Sequence, residues 1–380
     1  MSDIRNQLIT STRLLHDYLL GHHWHTDHLA GPDPVGKIQW RITRFARSYV
    51  PALPNDDAYV YPQGNAYWIR ANVALMALTG DTGHRDFVVQ TAKYIVAAQQ
   101  DGVWLHPPIP GRRGFVSTVE GVWASLGLLQ AYRSVPDSSF LDAAKRWYET
   151  QVKVIGFQEA PEGIAANYYA HSQYLVPNVT TMLVWLSAEL ADLTQDDYYL
   201  QYTEPMLRFL RYCQLDSGEL PYEHLERPHF MCFQYNSFEF LDLANYHSLR
   251  PDTNQRTLLQ QLAAFLATGV RANGSCRYNC HKQTPEVNYW TAALGTALLR
   301  AHSLGLGNYH DAGLRALTHL LEQQRPDGGF DFSYKNYRLL RDRRSYPRYL
   351  SMILYLMLES QQLLNFESTP RNQERIGSRI

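Results

Sequence analysis

The sequence predicts an all-α chain folded as a ring of six helical hairpins, and three observations carry that prediction. Apolar residues recur at helical spacing through most of the chain, in helices that alternate between one-sided and nearly all-round apolar character. The all-round apolar helices begin near Ala66, Val119, Val176, Tyr235, Asn288 and Tyr346, so successive starts lie about 50 to 60 residues apart, a supersecondary period. The outer helices break at related turns, DGVW after Gln100 and RPDGGF after Gln324, where Asp-Gly leaves no room for continued helix. One hairpin cannot cover its own apolar face, whereas six in a ring bury all the inner helices together.

Taken in order, residues 5–20 form an amphipathic helix with Leu8, Leu14, Leu15 and Leu19 on one side. No inner helix precedes it, so it is the outer helix that closes the ring. The following GHHWHTDHLAGPDP holds His22, His23, His25 and His28 without a patterned carboxylate, and reads as a solvated linker rather than a metal site. NDDAYVYPQG then leads into the inner helix NAYWIRANVALMALTG. The second unit runs DFVVQTAKYIVAAQQ, LHPPIPGRRGFVSTVEG, GVWASLGLLQAY, and the third SFLDAAKRWYETQV, ANYYAHSQYLVPN, NVTTMLVWLSAELADL. The fourth runs YYLQYTEPMLRFLRYCQ, LDSGELPYEHLERPHFMCFQ, YNSFEFLDLANYHSL, and the fifth RTLLQQLAAFLATGV, RANGSCRYNCHKQTPEV, NYWTAALGTALLRAHSL. The sixth joins HDAGLRALTHLLEQQ through DFSYKNYRLLRDRRSYPR to RYLSMILYLMLES. Residues 1–365 thus form one domain, and the polar composition of 366–380 predicts a disordered tail.

A formal charge of −1 gives no global pull toward nucleic acid or an anionic membrane. Four unevenly spaced cysteines make no disulfide framework and fit a reducing compartment. No run resembles a signal peptide or reaches the length needed to cross a bilayer, so a cytoplasmic protein is expected. The 26 tyrosines and 8 tryptophans are the unusual part of the composition, since their rings suit sugar faces as well as cores.

Six hairpins joined by Asp-Gly turns resemble the (α/α)6 toroid, or barrel, shared by six-hairpin glycosidases, uronate lyases and epimerases, terpenoid cyclases and lanthionine cyclases. The resemblance covers nearly the whole chain and implies a site at the mouth formed by the loops that enter the inner helices. It identifies a superfold and not a reaction.

Those loops hold the candidates. Lys335, Arg338, Arg341, Arg343, Arg344 and Arg348 crowd one of them, and Arg112 and Arg113 occupy the equivalent place in another. Arginine forks match carboxylates, so Arg341, Arg344, Arg112 and Arg113 are expected to hold an anionic ligand. Tyr168 with His171, and Tyr222-Glu223 with Arg227 and His229, bring phenols, imidazoles and cations into two further loops. Proton abstraction beside a uronate carboxylate needs those types: a base, an acid on the far side, and cations for the developing enolate. Glu120 and Glu286 enter inner helices and serve as acids if buried, as do Asp56 and Asp57; capping of first turns is the ordinary role of such residues. SGELPYEHLERPHF followed by MCFQYNSFEFLDL loosely resembles the helical domain of glucuronyl C5-epimerases, and this likeness implies Tyr222, Arg227 and Tyr235 as site residues with Asn236 positioning. The family's β-rich N-terminal portion has no counterpart.

Two other chemistries of the superfold leave traces. The DGVW and RPDGGF turns look like those of terpenoid cyclases, but the protonating Asp-rich motif is missing. Cys232 before the fourth inner helix, with Cys280-His281 before the fifth, is similar to the zinc ligands of lanthionine cyclases, and Cys276 offers a fourth donor; the flanking glycines of that family are replaced by Phe233 and Lys282. The expectation is therefore a cofactor-free enzyme of the epimerase, lyase or glycosidase type, acting on a uronate-containing glycan or glycoside. His171, Tyr168, Tyr222, Glu223 and Glu286 are its catalytic candidates, and Arg112, Arg113, Arg227, His229, Tyr235, Asn236, Arg341 and Arg344 its substrate-binding ones. The alternatives are a zinc-dependent cyclase-like toroid built on Cys232, Cys280 and His281, and a non-catalytic scaffold that binds glycan or peptide.

Overall fold

A computed structural model describes residues 2–33, 42, 46–50, 53, 58–107, 114–170, 174–224, 230, 232–277, 279–281, 286–333 and 343–367. Twelve α-helices of three or more turns stand among them. The inner helices are α2 (Pro62–Thr79), α4 (Thr118–Ser134), α6 (Pro177–Thr194), α8 (Cys232–Leu249), α10 (Asn288–Ser303) and α12 (Pro347–Glu367). The outer ones are α1 (Ser2–His23), α3 (His84–Ala97), α5 (Ser138–Thr150), α7 (Thr203–Cys213), α9 (Thr253–Ala267) and α11 (His310–Leu321). Each inner helix packs on the next in chain order, and α12 returns to α2, so the ring is closed. α1 packs on α12 and supplies the outer helix that the sixth hairpin would otherwise lack.

Local chemistry fixes where the helices start. Pro62, Pro177 and Pro347 occupy the first positions of three inner helices, where a missing N–H costs nothing. The Ser117 hydroxyl caps α4 and the Asp252 carboxylate caps α9, each accepting from a first-turn N–H. Outer helices present one apolar stripe, as in α11, where Gly313, Ala316, Leu317 and Leu320 are buried. Inner helices are buried nearly all round: of α6, Pro177 to Ala188 is buried without a break.

A repeated turn locks neighbouring hairpins together. Gly218, Gly274 and Gly328 have φ of 87°, 81° and 88°, and a Cβ on each would lie 2.2 to 2.3 Å from a carbonyl oxygen of the next outer helix: Gln261, Arg315 and Leu14 respectively. Glycine alone combines that conformation with so close an approach. Glutamines add a brace. Gln214 donates to Gly218 O at 3.0 Å and to Leu258 O of α9 at 3.1 Å, and Gln324 donates to Gly328 O at 2.8 Å and to Ser11 O of α1 at 3.0 Å. The cyclase-like turns are therefore structural joints.

The structure departs from the expectation in two places. The histidine-rich segment is not a solvated linker. α1 runs on through His23, and a hairpin of β1 (Trp24–His25) and β2 (His28–Leu29) folds the segment back onto the body. His23 is buried, and His28 stacks on Tyr94 with centroids 4.1 Å apart while bonding Asp27 at 2.7 Å. Among the described residues these histidines form no metal-type cluster. A second hairpin, β3 (Phe157–Ala160) with β4 (Gly163–Ala166), lies between α5 and α6 in the loop that leads to the mouth. Gly163 lets β4 sit on α7, since a Cβ there would meet Pro205 O at 2.1 Å.

Candidate functional site at the toroid mouth

The first turns of the six inner helices converge on one cavity of about 240 Å³. Gln63 comes from α2, Val119 and Trp123 from α4, Asn178 and Met182 from α6, and Gln234, Tyr235 and Phe238 from α8. Tyr289 comes from α10, Arg348, Tyr349 and Met352 from α12, and Tyr168 and Tyr222 from loops. Aromatic rings thus form the walls, with Tyr289 stacked on Tyr349 at 4.2 Å and Tyr222 against Tyr235 at 4.7 Å. Amides and one guanidinium are set among them.

Arg348 is the charged centre. Its guanidinium reaches Asp33 at 3.1 Å and Glu120 at 4.0 Å, lies over Tyr61 at 4.2 Å, and donates to the Tyr349 hydroxyl at 2.6 Å. Burial works to lower its pKa, but the charge of Asp33 with the surrounding phenols and Glu120 holds it well above the ordinary value, so it remains a cation. Burial pushes the Tyr289 and Tyr349 phenols up, which makes them proton donors and not bases. Glu120 is buried and accepts from Gln63 N at 3.0 Å.

Several polar atoms of the cavity wall are left over. Trp123 Nε1, Asn178 Nδ2 and Gln234 Oε1 are buried and have no hydrogen-bond partner among the described residues. A buried donor or acceptor without a partner is costly and uncommon. These three atoms sit behind the cavity surface, and the side chains that carry them line it together with Gln63 and Arg348, a polar and aromatic setting that suits a ligand with several hydroxyl groups.

A second cleft of about 390 Å³ adjoins it, lined by His22, His23, His25, Arg47, Arg343 and Arg344 among others. Tyr346 and Arg344 border this cleft, and they also share a narrow gap with the Tyr289 and Tyr349 rings of the central cavity.

Of the residues singled out in the sequence, Tyr168, Tyr222 and Tyr235 line the cavity. Arg344 borders the adjoining cleft, with Arg348 taking the place in the cavity expected of it. Glu223 is half-buried beside Tyr222 and does not line the cavity. Glu286 is placed elsewhere: its carboxylate receives the Cys276 N–H and the Thr291 hydroxyl at 2.9 Å each and meets His319 of α11 at 3.1 Å. Both groups of the Asn236 amide are used on Leu220, accepting from its N–H and donating to its carbonyl, so Asn236 clamps a loop. Asn65 holds Leu29 the same way. Arg112, Arg113, His171, Arg227, His229 and Arg341 lie outside the described residues, as do Asp56, Asp57, Lys335 and Arg338. Sequence reasoning missed Trp123, Asn178, Gln234, Tyr289 and Tyr349; their one shared signal is a place in the first two turns of an inner helix.

Cys232 and Cys280-His281 also come together at the rim. With Glu219, their donor atoms all lie within 4.8 Å of one another. Glu219 was not among the expected ligands. Cys276 is buried elsewhere, its sulfur 3.5 Å from Gly274 O. Without a cation, burial pushes both thiols up, that of Cys280 to about 11.

No family model matches the chain, and no curated protein matches it in sequence. Solved structures do. A cellobiose 2-epimerase from Bacillus thermoamylovorans is similar with a TM-score of 0.73 at 12% identity, over 94% of this chain and 100% of that one. A possible member of the GH105 family from Salmonella enterica gives 0.67 at 14% identity, over 95% of each chain. A glycosyl hydrolase of family 88 from Bacteroides vulgatus gives 0.61 at 16% identity, over 85% of this chain and 97% of that one. The whole-chain match establishes the (α/α)6 toroid.

Proposed function

We propose that this chain is a carbohydrate-active enzyme that binds a sugar ring in the central cavity and rearranges or cleaves it, by epimerisation, β-elimination or hydrolysis. The observation that carries the reading is the cavity lining itself, with the rings of Trp123, Tyr168, Tyr222, Tyr235, Tyr289 and Tyr349 as walls and Gln63, Asn178, Gln234 and Arg348 set among them. Stacking faces with polar side chains among them are what a sugar requires, and a ligand that lacks hydroxyls is a poor substitute in such a site. The similar cellobiose 2-epimerase and glycoside hydrolase structures, sugar-acting proteins by name, favour the same class.

A uronate-containing glycan is the substrate class that fits best. Arg348 gives the cavity one fixed cation, and the adjoining cleft adds Arg47, Arg343 and Arg344 along a path that an anionic chain can follow. In this reading Tyr289 or Tyr349 donates a proton, Tyr168 and Tyr222 face the ring, and His171 in the Tyr168 loop supplies the base. Glu120 and Asp33 orient Arg348.

The test is a panel of uronate and neutral glycans followed by NMR in heavy water, near-ultraviolet absorbance and reducing-end assay. Deuterium at the carbon beside the carboxylate marks epimerisation, a new unsaturated uronate marks elimination, and new reducing ends mark hydrolysis. Binding of no glycan, with tryptophan fluorescence unmoved throughout in the parent and in a Trp123→Phe variant alike, is the result that sinks the proposal.

A further inference from the structure

We propose that Glu219, Cys232, Cys280 and His281 form a structural zinc site that pins two rim loops of the toroid together. The donors come from three stretches: the turn after α7, the first residue of α8, and the loop before α10. Their chemistry is that of zinc, with two thiols, an imidazole and a carboxylate, the usual types for a tetrahedral ion.

The geometry is close to the bound form. Zinc–donor bonds of about 2.0–2.3 Å place tetrahedral ligands roughly 3.3–3.8 Å apart. Glu219 stands 3.4 Å from the Cys280 sulfur and 3.2 Å from His281 Nε2, and all four donors lie within 4.8 Å of one another. A contraction of at most about 1 Å completes the tetrahedron.

The backbone is already arranged around the donors. Cys280 N–H points at the Cys232 sulfur at 3.2 Å, and His281 N–H is held by Asn279 Oδ1 at 2.7 Å. Asn279 in turn donates to Phe230 O at 3.1 Å, tying this loop to the segment before α8. The Phe230 ring lies against the His281 imidazole, centroids 4.1 Å apart, and fixes its plane.

Four protein donors leave no position open for water or substrate, so the ion's role is to hold the rim. Tyr222 is three residues from Glu219 and Tyr235 three from Cys232, and both line the cavity. A cation here therefore sets the spacing of two cavity walls. The proposal rests on the rim loops and not on the carbohydrate reading, so metal content and glycan turnover fail separately.

The experiment is metal analysis of the full chain after zinc loading and gel filtration, with Cys280→Ser, His281→Gln and Glu219→Gln beside it. Cys280 and His281 are solvent-accessible, so their variants keep the fold, which far-ultraviolet circular dichroism checks. The expected result is one zinc per chain, lost from Cys280→Ser, and held at least about tenfold more weakly in His281→Gln and Glu219→Gln. Cobalt loading should give thiolate-to-metal absorption in the parent and not in Cys280→Ser. Absence of zinc from the parent, equal zinc in parent and Cys280→Ser, or a Cys232–Cys280 disulfide found by mass under reducing purification each overturns the site. Unweakened binding in Glu219→Gln overturns its closed, structural form.

Discussion

The Asn236 side-chain amide brackets the backbone of Leu220, accepting from its N–H and donating to its carbonyl at 2.8 Å each. Leu220 is buried and lies between Glu219 of the rim cluster and Tyr222 of the cavity. Asn236→Ala leaves two buried backbone groups without partners, at about 1–3 kcal/mol each. Denaturant unfolding should show that loss. Equal stability of Asn236→Ala and the parent would falsify the clamp.

The joint between the sixth turn and the first helix gives a second prediction. Gly328 has φ of 88° and a Cβ there would lie 2.3 Å from Leu14 O. Gly328→Ala combines backbone strain of about 1–3 kcal/mol with a clash against main chain. Gly21, with nothing within 4 Å of its would-be Cβ, is the control, and Gly21→Ala should be neutral or mildly stabilising. Melting temperatures of the two variants settle the comparison.

Arg348 separates charge from shape. Arg348→Ala removes the cation that Asp33 and Glu120 face in a buried site, and the cost is about 3–5 kcal/mol. Arg348→Lys keeps the charge and loses the fork, so it should fold. If the cavity acts on uronates, turnover in Arg348→Lys falls about 10²-fold, as for loss of a preorganised electrostatic donor. Unchanged turnover in that variant assigns Arg348 to folding alone.

Acid should unfold the protein through two imidazoles. Burial holds both His16 and His23 down at about 4, against 6.5 in the unfolded chain. Their contribution to stability is complete above pH 6.5, declines as pH falls, and is gone below about 4. Each contributes on the order of 3 kcal/mol. Denaturant midpoints between pH 7 and about 4 should therefore fall steeply, and less so in His16→Gln. A slope identical in His16→Gln and the parent refutes the assignment.

The Glu286–His319 pair titrates with the opposite bias at one end. Burial raises the Glu286 pKa, but its bond with His319 and the Cys276 N–H bring it below its ordinary value. His319 is raised by its hydrogen bond to Glu286. The Glu286 part is present above pH 4.5 and lost as pH falls through its lowered pKa; the His319 part is present below pH 6.5 and lost as pH rises through its raised one. The pair contributes most between those limits. His319→Gln should destabilise the protein more at pH 5.5 than at pH 9, read from urea midpoints.

The ring was legible in the sequence because burying inner helices demands a repeated apolar pattern, and repeats announce themselves. Starts expected near Val119, Val176, Asn288 and Tyr346 fall within one residue of the helices found. The cavity was less legible. Whether Arg344 or Arg348 enters it depends on the rotation with which α12 leaves Pro347, and charge composition is blind to rotation. Gln63, Asn178 and Gln234 look like ordinary first-turn polar residues until six helices bring them together. Glu219 follows a turn glycine and had no motif of its own; only the fold brings it to Cys280 and His281.

The closure of α12 onto α1 also bears on how the chain is made. The Arg5 guanidinium donates to Leu364 O at 2.5 Å, and Gln324 reaches Ser11 O. α1 emerges long before α12, so the part of its face that α12 covers waits for the sixth hairpin. Contacts so distant in sequence form late, and the waiting surface is prone to aggregation. Early hairpins can stack as an open arc, but the arc has two raw edges until its ends meet.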